Sequence, residues 1–554
     1  MAGFYEHIGR KSMLNKTFNF NCFCTKEFSK PLDDNFLQCV IKYDPNATRS
    51  NFVFTQKHTQ YSSVLESSII NLRFSTSTTP KPIAIITPLS YSHVQSAILC
   101  SKRFGYRIRI RSGGHDYAGV SHTSYEHDVP FIVLDLKELR KITIESGQNT
   151  AWVESGSTLG ELYHRVGQES QNLGFPAGVC PTVGVGGHLS GGGFGTMIRK
   201  YGLAADNVID AKIIDVNGRI LDRKSMGEDL FWAIRGGGGA SFGGVVAWKV
   251  NLVYVPDKVS VFSISKTLEQ GGSSLFNKWQ YVGSEFNQDL FIRVIIQPVW
   301  TGNRTMQVTF NSMFLGTVDK LIETVKVSFP ELGLEEKDCS EMSWVESILY
   351  FAGYKIGSVD VLKDRKHEAK SYFYAKSDYV KEPIPEGRLG EIWKWCLEGD
   401  NPILIMEQHG GKMSEIEKTR IPYRYRNGYL YNIQYLEKWQ DGSVESFEKH
   451  TSGMRRIYEN MTPYVSKNPR GAYVNYRDLD LGRNNNAKTT SYMEAMIWGN
   501  KYFGDNFKRL AMVKGVVDPD NYFYFEQSIL PLTISKRNND IGSYQRSAAK
   551  SRFL

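Results

Sequence analysis

Seven of the twelve residues at positions 184–195 are glycine, in the run Gly-Val-Gly-Gly-His-Leu-Ser-Gly-Gly-Gly-Phe-Gly. Such a run is costly inside a regular helix or strand, because glycine loses more backbone freedom on ordering than any other residue. It has to form turns in which backbone passes close to backbone or to a ligand. A second run, Arg235-Gly236-Gly237-Gly238-Gly239, sets the same constraint further along. Glycine lets successive N–H groups point inward, so two such runs after strands read as a cradle for a pyrophosphate. Turns and close packing are the other reading. No Gly-x-Gly-x-x-Gly follows the first strand, so an ordinary dinucleotide-binding βαβ unit is a poor match.

Two further glycine turns carry reactive side chains. They are Arg111-Ser112-Gly113-Gly114-His115-Asp116 and Gly178-Val179-Cys180-Pro181-Thr182-Val183-Gly184. An imidazole and a thiol can both add to an electron-poor ring. Taken singly, His115 reads equally well as a hydrogen-bonded turn histidine and Cys180 as an inert buried thiol.

Periodicity divides the chain. Strands are predicted over 83–87, 107–111, 131–136 and 151–154, and a helix over 90–104. Arg107-Ile108-Arg109-Ile110-Arg111 alternates as a half-buried strand does. Thr158 and Glu161 form a capping-box start for a helix through 169. Asn217-Gly218 marks a tight hairpin between strands at 208–216 and 219–221, and an apolar strand at 245–255 closes the region. Beyond Pro256 the pattern changes to longer antiparallel-type strands at 259–266, 290–297 and 306–315, with a helix at 318–327.

With 554 residues, two or three domains are expected. The net charge of +9 is spread along the chain, so a solvated basic surface is expected and a nucleic-acid partner is not. No apolar run reaches ~18 residues, so no membrane span is predicted. Residues 1–30 lack a convincing signal peptide and read as an altered leader, while 533–554 read as a polar, basic tail. Sequons stand at Asn15, Asn46, Asn303 and Asn460. Seven cysteines are too few for a disulfide scaffold and leave at least one unpaired. No metal site is expected.

Several longer motifs follow in order. Besides the two reactive turns there are Gly187-His188, Lys200-Tyr201-Gly202-Leu203-Ala204-Ala205-Asp206-Asn207 and Asp229-Leu230-Phe231-Trp232-Ala233-Ile234-Arg235-Gly236. Tyr473-Val474-Asn475-Tyr476-Arg477-Asp478-Leu479-Asp480 and Phe525-Glu526-Gln527-Ser528-Ile529 complete the set. On these, the chain resembles the plant berberine-bridge-enzyme-like FAD-linked oxidoreductases over residues 35–532. Cannabinoid synthases, monolignol oxidases and mulberry-type Diels–Alderases are similar proteins.

The resemblance implies an α+β fold of the vanillyl-alcohol-oxidase type. It divides the chain into a leader at 1–32, a two-subdomain FAD-binding module at 33–255, and a substrate-binding domain at 256–474 with a large antiparallel sheet. A segment at 475–532 returns to the FAD module, and a tail follows at 533–554. FAD would be held bicovalently, His115 on the flavin 8α-methyl and Cys180 on C6. Arg111, Ser112, Gly113, Gly114, Asp116, Gly184, Gly187, His188, Gly192 and Asn475 would line the cofactor. Tyr476 would take the substrate proton if its pKa is lowered, and Gln434 would orient the substrate oxygen. Tyr117, Arg293, Asn432 and Tyr473 would meet the substrate. Cys39 and Cys100 match a structural disulfide of the family, which implies an oxidising compartment and the secretory pathway.

The chain departs from related oxidases on the substrate side. Asn432 stands where monolignol oxidases carry a lysine, Phe194 where a tyrosine is frequent, and Arg424-Tyr425-Arg426 where Pro-His-Arg is usual. Val183 stands at a position associated with oxygen access. The implied function is an FAD-dependent oxidase of plant specialised metabolism. It would act on a phenolic, prenylated phenolic or alkaloid, reduce O2 to H2O2, and work as a monomer. A non-redox cyclase, with Arg293, Arg424 and Arg426 holding substrate oxygens, is one alternative. A carbohydrate or monolignol oxidase is another.

Overall fold

A computed structural model describes residues 32–42, 52–126, 128–366, 370–485 and 490–532. The expected tail, residues 1–31 of the expected leader, and the sequons at Asn15 and Asn46 lie outside them. Asn303 is exposed near the tip of a hairpin, and Asn460 ends the helix Val444–Asn460.

The first sheet has the spatial order Val53–Thr55, Ala84–Ile86, Phe131–Asp135, Arg107–Arg111, with the last three strands parallel. Parallel neighbours need a crossover, and the helix Tyr91–Phe104 supplies one. It stops at Gly105, whose φ of 72° lets the helix carbonyls be capped from a left-handed residue. The Cys39–Cys100 disulfide ties this helix to Asp34–Lys42, as the resemblance implies.

The alternation in Arg107–Arg111 predicts a strand with one wet face, and the structure corrects it. Arg109 and Arg111 are fully buried. Arg109 Nη2 lies 3.0 Å from Glu526 Oε1, and Arg111 Nη2 lies 2.8 Å from Asp135 Oδ2. A guanidinium tolerates burial when a carboxylate and further acceptors meet its fork.

The second sheet is antiparallel, in the order Ile142–Glu145, Thr150–Glu154, Gly244–Asn251, Val208–Ile214, Ile220–Leu221. The expected hairpin at Asn217-Gly218 is present. Asp215 Oδ1 accepts from the N–H groups of Asn217 and Arg219 at 2.9 and 2.8 Å, and Gly218 takes φ of 72°. The predicted helix after Thr158 is Leu159–Glu169, with its reciprocal cap. The expected single strand at 245–255 is instead broken at Leu252. Its last part, Val253–Tyr254, pairs with Leu173–Gly174 in a separate ribbon.

From Val259 onward a seven-stranded antiparallel sheet forms. Its order is Cys339–Met342, Val259–Thr267, Asn303–Phe314, Leu290–Thr301, Ile403–Gln408, Tyr431–Trp439, Tyr372–Val380. Side chains alternate between faces along each strand. One face carries Ile292, Val294, Val308, Phe310, Leu404, Met406 and Ile433. These pack with Phe276, Trp393 and Met454 of the covering helices Gly272–Val282, Glu386–Glu398 and Val444–Asn460 in one core. Each fully buried side chain of this size stabilises by about 1.5–3 kcal/mol. The opposite face carries Arg293, Ile295, Ile405, Glu407, Asn432 and Gln434.

The chain then returns to the first half. Glu526 reaches Arg109, the Lys514 ammonium donates to the Ser241 carbonyl at 2.6 Å, and Ile529 N–H donates to Ser241 Oγ at 3.1 Å. Among the described residues, no helix is long and apolar enough to cross a membrane.

Candidate active site

The two reactive turns lie back to back. A Cβ placed on Gly113 would sit 2.2 Å from Gly184 N, and one placed on Gly184 would sit 2.2 Å from Gly113 N and 2.1 Å from Ser112 Oγ. No side chain fits at either position, so glycine there is what lets the turns touch. His115 Nε2 consequently lies 2.9 Å from Thr182 Oγ1, two residues beyond Cys180.

The other predicted residues around these turns hold them in shape. Arg111 is fully buried beneath, bonded to Asp135 and to the Val64 and Leu65 carbonyls. Ser112 Oγ donates to the Ser155 carbonyl at 2.6 Å. Asp116 caps its own turn, accepting from the N–H groups of Ala118 and Ser121. Gly114, at φ of 72°, passes against the Ser68 carbonyl. His188 Nε2 accepts from Gly178 N–H at 3.0 Å, which fixes the turn leading to Cys180. Burial keeps that imidazole neutral, with its pKa lowered to about 4.

A clamp from the C-terminal segment closes on the glycine run. Asn475 Nδ2 donates to the His188 carbonyl at 3.1 Å and to Tyr473 Oη at 2.9 Å. Tyr473 Oη accepts from Gly193 N–H at 2.8 Å. Gly192 and Gly193 have φ of 122° and 88°, which side chains rarely adopt. Gly187 is exposed, with nothing within 4 Å of the place its Cβ would take. Ser112, Gly113, His115, Thr182, Val183 and Gly186 are each partly accessible. These partly accessible residues, with exposed Gly187 and Cys180, make the surface on which the two reactive turns meet. The Cys180 thiol is accessible there, yet surrounding protein raises its pKa against the pull of Lys438 and Arg293.

Tyrosines stand over this region. Tyr117 and Tyr476 stack, with centroids 5.3 Å apart and planes 7° from parallel. Tyr473 meets Tyr476 edge-on at 5.0 Å, and Phe194 stacks on Tyr473 at 4.3 Å. Gln434 Nε2 donates to Tyr117 Oη at 2.6 Å, so the roof sheet touches this stack. The Tyr476 phenol does not have the lowered pKa expected of a ready base. Burial raises it well above the usual range, and the Glu407 carboxylate adds to the rise.

Cross-strand pairing sets Glu407 opposite Asn432, on the face that carries Gln434. Burial raises the Glu407 pKa, and Arg293 opposes the rise. Arg293 Nε donates to Asn311 Oδ1 at 3.0 Å, and its guanidinium lies 5.2 Å from the Phe351 ring centroid. Arg426 is engaged elsewhere, with Nη1 and Nη2 at 2.9 and 2.7 Å from the two Asp206 oxygens. Arg424 Nη1 donates to the Asn500 carbonyl at 3.3 Å. The Arg426 guanidinium lies 5.2 Å from the Tyr423 ring centroid and that of Arg424 5.5 Å from Tyr425; Tyr423 in turn meets Tyr473 and Phe194 edge-on.

Residue reasoning missed Glu407. The run Ile-Leu-Ile-Met-Glu-Gln at 403–408 contains one charged residue at an alternating strand position, which was the available signal. The buried cluster of Tyr379, His409, Tyr423 and Tyr425 was missed as well; Tyr379 and Tyr425 stack at 3.5 Å.

The FAD binding domain model matches residues 82–223, and the berberine and berberine-like model matches 472–530. The chain is 50% identical over 506 residues to O-acetylstemmadenine oxidase of Catharanthus roseus, covering 90% of this chain and 94% of that one. It is 49% identical over 510 residues to tetrahydroberberine oxidase of Berberis wilsoniae, with the same two coverages. The chain belongs to the berberine-bridge-enzyme-like family. Among solved structures, it is similar to Phl p 4, a grass pollen allergen with glucose dehydrogenase activity, at 44% identity and a TM-score of 0.86. That match covers 90% of this chain and 100% of the other. As a member of this family the chain is an FAD-linked oxidoreductase. The site fits that cofactor in kind: Gly187 has open space where a Cβ would stand, and exposed Cys180 lies two residues before Thr182, the hydrogen-bond partner of His115.

Proposed function

We propose that this berberine-bridge-enzyme-like protein is an FAD-dependent oxidase of an aromatic small molecule: a phenolic, a prenylated phenolic or an alkaloid. The observation that carries this reading is the Tyr117–Tyr476 stack, fixed from the roof by Gln434 and joined through Tyr473 to the glycine floor. Flat π-faces favour an aromatic partner. Residues 33–255 with 475–532 would form the cofactor module, and 256–474 the substrate domain. His115 and Cys180 would hold FAD at two points. Bound FAD supplies the two-electron acceptor, and dioxygen takes the electrons on as hydrogen peroxide.

Tyr476 is the proton acceptor in this reading, and Gln434 positions the substrate oxygen. Because burial and Glu407 hold the Tyr476 proton, substrate binding has to change that balance before the phenol can act. The same observation favours a second reading, a non-redox cyclase in which the cavity only aligns two unsaturated groups. The similarity to a glucose dehydrogenase keeps a carbohydrate in the substrate panel.

The test is anaerobic mixing with phenols, amines and sugars, followed by admission of oxygen. The oxidase reading expects the yellow colour to bleach with an aromatic substrate and peroxide to form in equal amount. Product without bleaching or peroxide contradicts it and supports the cyclase. Bleaching by sugars alone places the chain with the carbohydrate enzymes.

A further inference from the structure

We propose that Glu407, with Asn432 opposite it, recognises a protonated amine, so that the substrate is a basic, cationic aromatic rather than a neutral phenol. This rests on the reading of the tyrosine stack as the substrate site.

Register and accessibility place the pair. In Ile403–Gln408, residues 403, 405 and 407 are partly accessible while 404, 406 and 408 are buried. The neighbouring strand shows the same alternation, with Arg293, Ile295 and Gln297 partly accessible. On this face Arg293, Ile295, Ile405 and Glu407 are thus less covered than the residues between them. Directly paired residues in an antiparallel sheet hold their Cβ atoms about 4.5–5.5 Å apart on one face. Glu407 and Asn432 are such a pair.

Asn432 supplies the second observation. It is 1% exposed, and neither its Oδ1 nor its Nδ2 has a hydrogen-bond partner. A buried amide left unpaired on both sides costs stability, on the order of 1–3 kcal/mol per group, so something outside the fold has to justify it. A ligand N–H lying between Glu407 and Asn432 would meet a carboxylate and an amide oxygen, both acceptors. A charged N–H satisfies both, and a charge-assisted bond is about twice as strong as a neutral one.

The surrounding charges agree. Gln434, on the same sheet face as Glu407, donates to Tyr117 Oη at 2.6 Å, and the Glu407 charge acts on Tyr117, Tyr473 and Tyr476. The nearby cation, Arg293, partly offsets the effect of burial on Glu407, while its Nε donates to Asn311 Oδ1 at 3.0 Å. An ammonium ion at Glu407 with its ring at the tyrosines meets both features at once.

The experiment uses the flavin-loaded chain, with tetrahydroberberine as a protonated amine and coniferyl alcohol as a neutral phenol, and reads binding by calorimetry at pH 7. The expected result is that the amine binds the unaltered protein, and that Glu407→Gln weakens it about 10- to 100-fold, the range for losing a hydrogen bond to a charged group. Phenol affinity and flavin content are expected to stay within about threefold. Glu407→Asp should restore part of the amine affinity. If Glu407→Gln does not fold, Asn432→Ala carries the test, with amine affinity falling several-fold and by clearly more than phenol affinity. Equal amine binding with and without Glu407, equal loss for both ligands, or preference of the unaltered protein for the phenol would overturn the proposal. Amine binding without bleaching or peroxide would leave it standing and would instead remove the oxidase reading.

Discussion

In the glycine turns, Gly113 and Gly184 approach so closely that either one's Cβ would collide with backbone; on the large sheet, Arg293, Glu407, Asn432 and Gln434 share one face set by strand register. The floor is a problem of sterics. Its geometry follows from residues that have no side chain, and few substitutions leave it intact. The roof is a problem of pairing. Its polar row exists because strands far apart in sequence align in one register, and the backbone hydrogen bonds are the same whatever the row contains. The difference explains how one cofactor site can be kept while the substrate changes. Phe194, Asn432 and Tyr425, where this chain departs from related oxidases, are not among the nearest atoms that a Cβ at Gly113 or Gly184 would meet.

The hardest way to break the floor is Gly184→Val. Its side chain meets Ser112 and Gly113 backbone that cannot give way, so loss of soluble, flavin-loaded protein is expected, measured as yield and flavin-to-protein absorbance ratio. A valine at Ile405 on the roof is expected to cost only about 0.5–1.5 kcal/mol.

Next comes the tie between the first sheet and the C-terminal segment. Glu526→Ala leaves the Arg109 guanidinium buried and unpaired, and a loss of about 3–5 kcal/mol is expected in denaturant unfolding. A loss under 1 kcal/mol would mean that this ion pair contributes little to holding the segment.

Tyr476→Phe sharpens the comparison on the substrate side. If the phenol is the proton acceptor, flavin reduction slows about 10²–10⁴-fold with flavin content unchanged. The ring stack is kept, so a change confined to substrate affinity would assign Tyr476 to positioning only.

The smallest effect is electrostatic. His188 is neutral in the fold, with its pKa lowered from 6.5 to about 4. A lowered histidine pKa means that the unfolded chain binds the proton first. The contribution is therefore complete above about pH 6.5 and is lost as pH falls towards 4. His188→Gln, which keeps an acceptor for Gly178 N–H, should lose less stability than the unaltered chain between pH 6.5 and 4. The expected difference is about 1 kcal/mol per pH unit, read from unfolding curves at several pH values.

The same contrast decides what was legible in the amino-acid sequence. Glycines at 113, 114, 184 and 191–193 announce tight backbone directly, and the helix capped by Thr158 and Glu161 is written in four residues. The burial of Arg109 and Arg111 was not legible. Alternation shows that two faces differ, but the partners that let an arginine be buried lie 24 and 417 residues away. Glu407 was hidden for a related reason: its environment comes from Tyr431–Trp439 and Leu290–Thr301 rather than from its own strand.

The most direct test of the double anchor is the absorbance of the acid-precipitated, washed protein. The account predicts a yellow pellet for the unaltered chain and for each of His115→Ala and Cys180→Ala, and a colourless pellet for the double variant. A colourless pellet from the unaltered, flavin-loaded protein would contradict it.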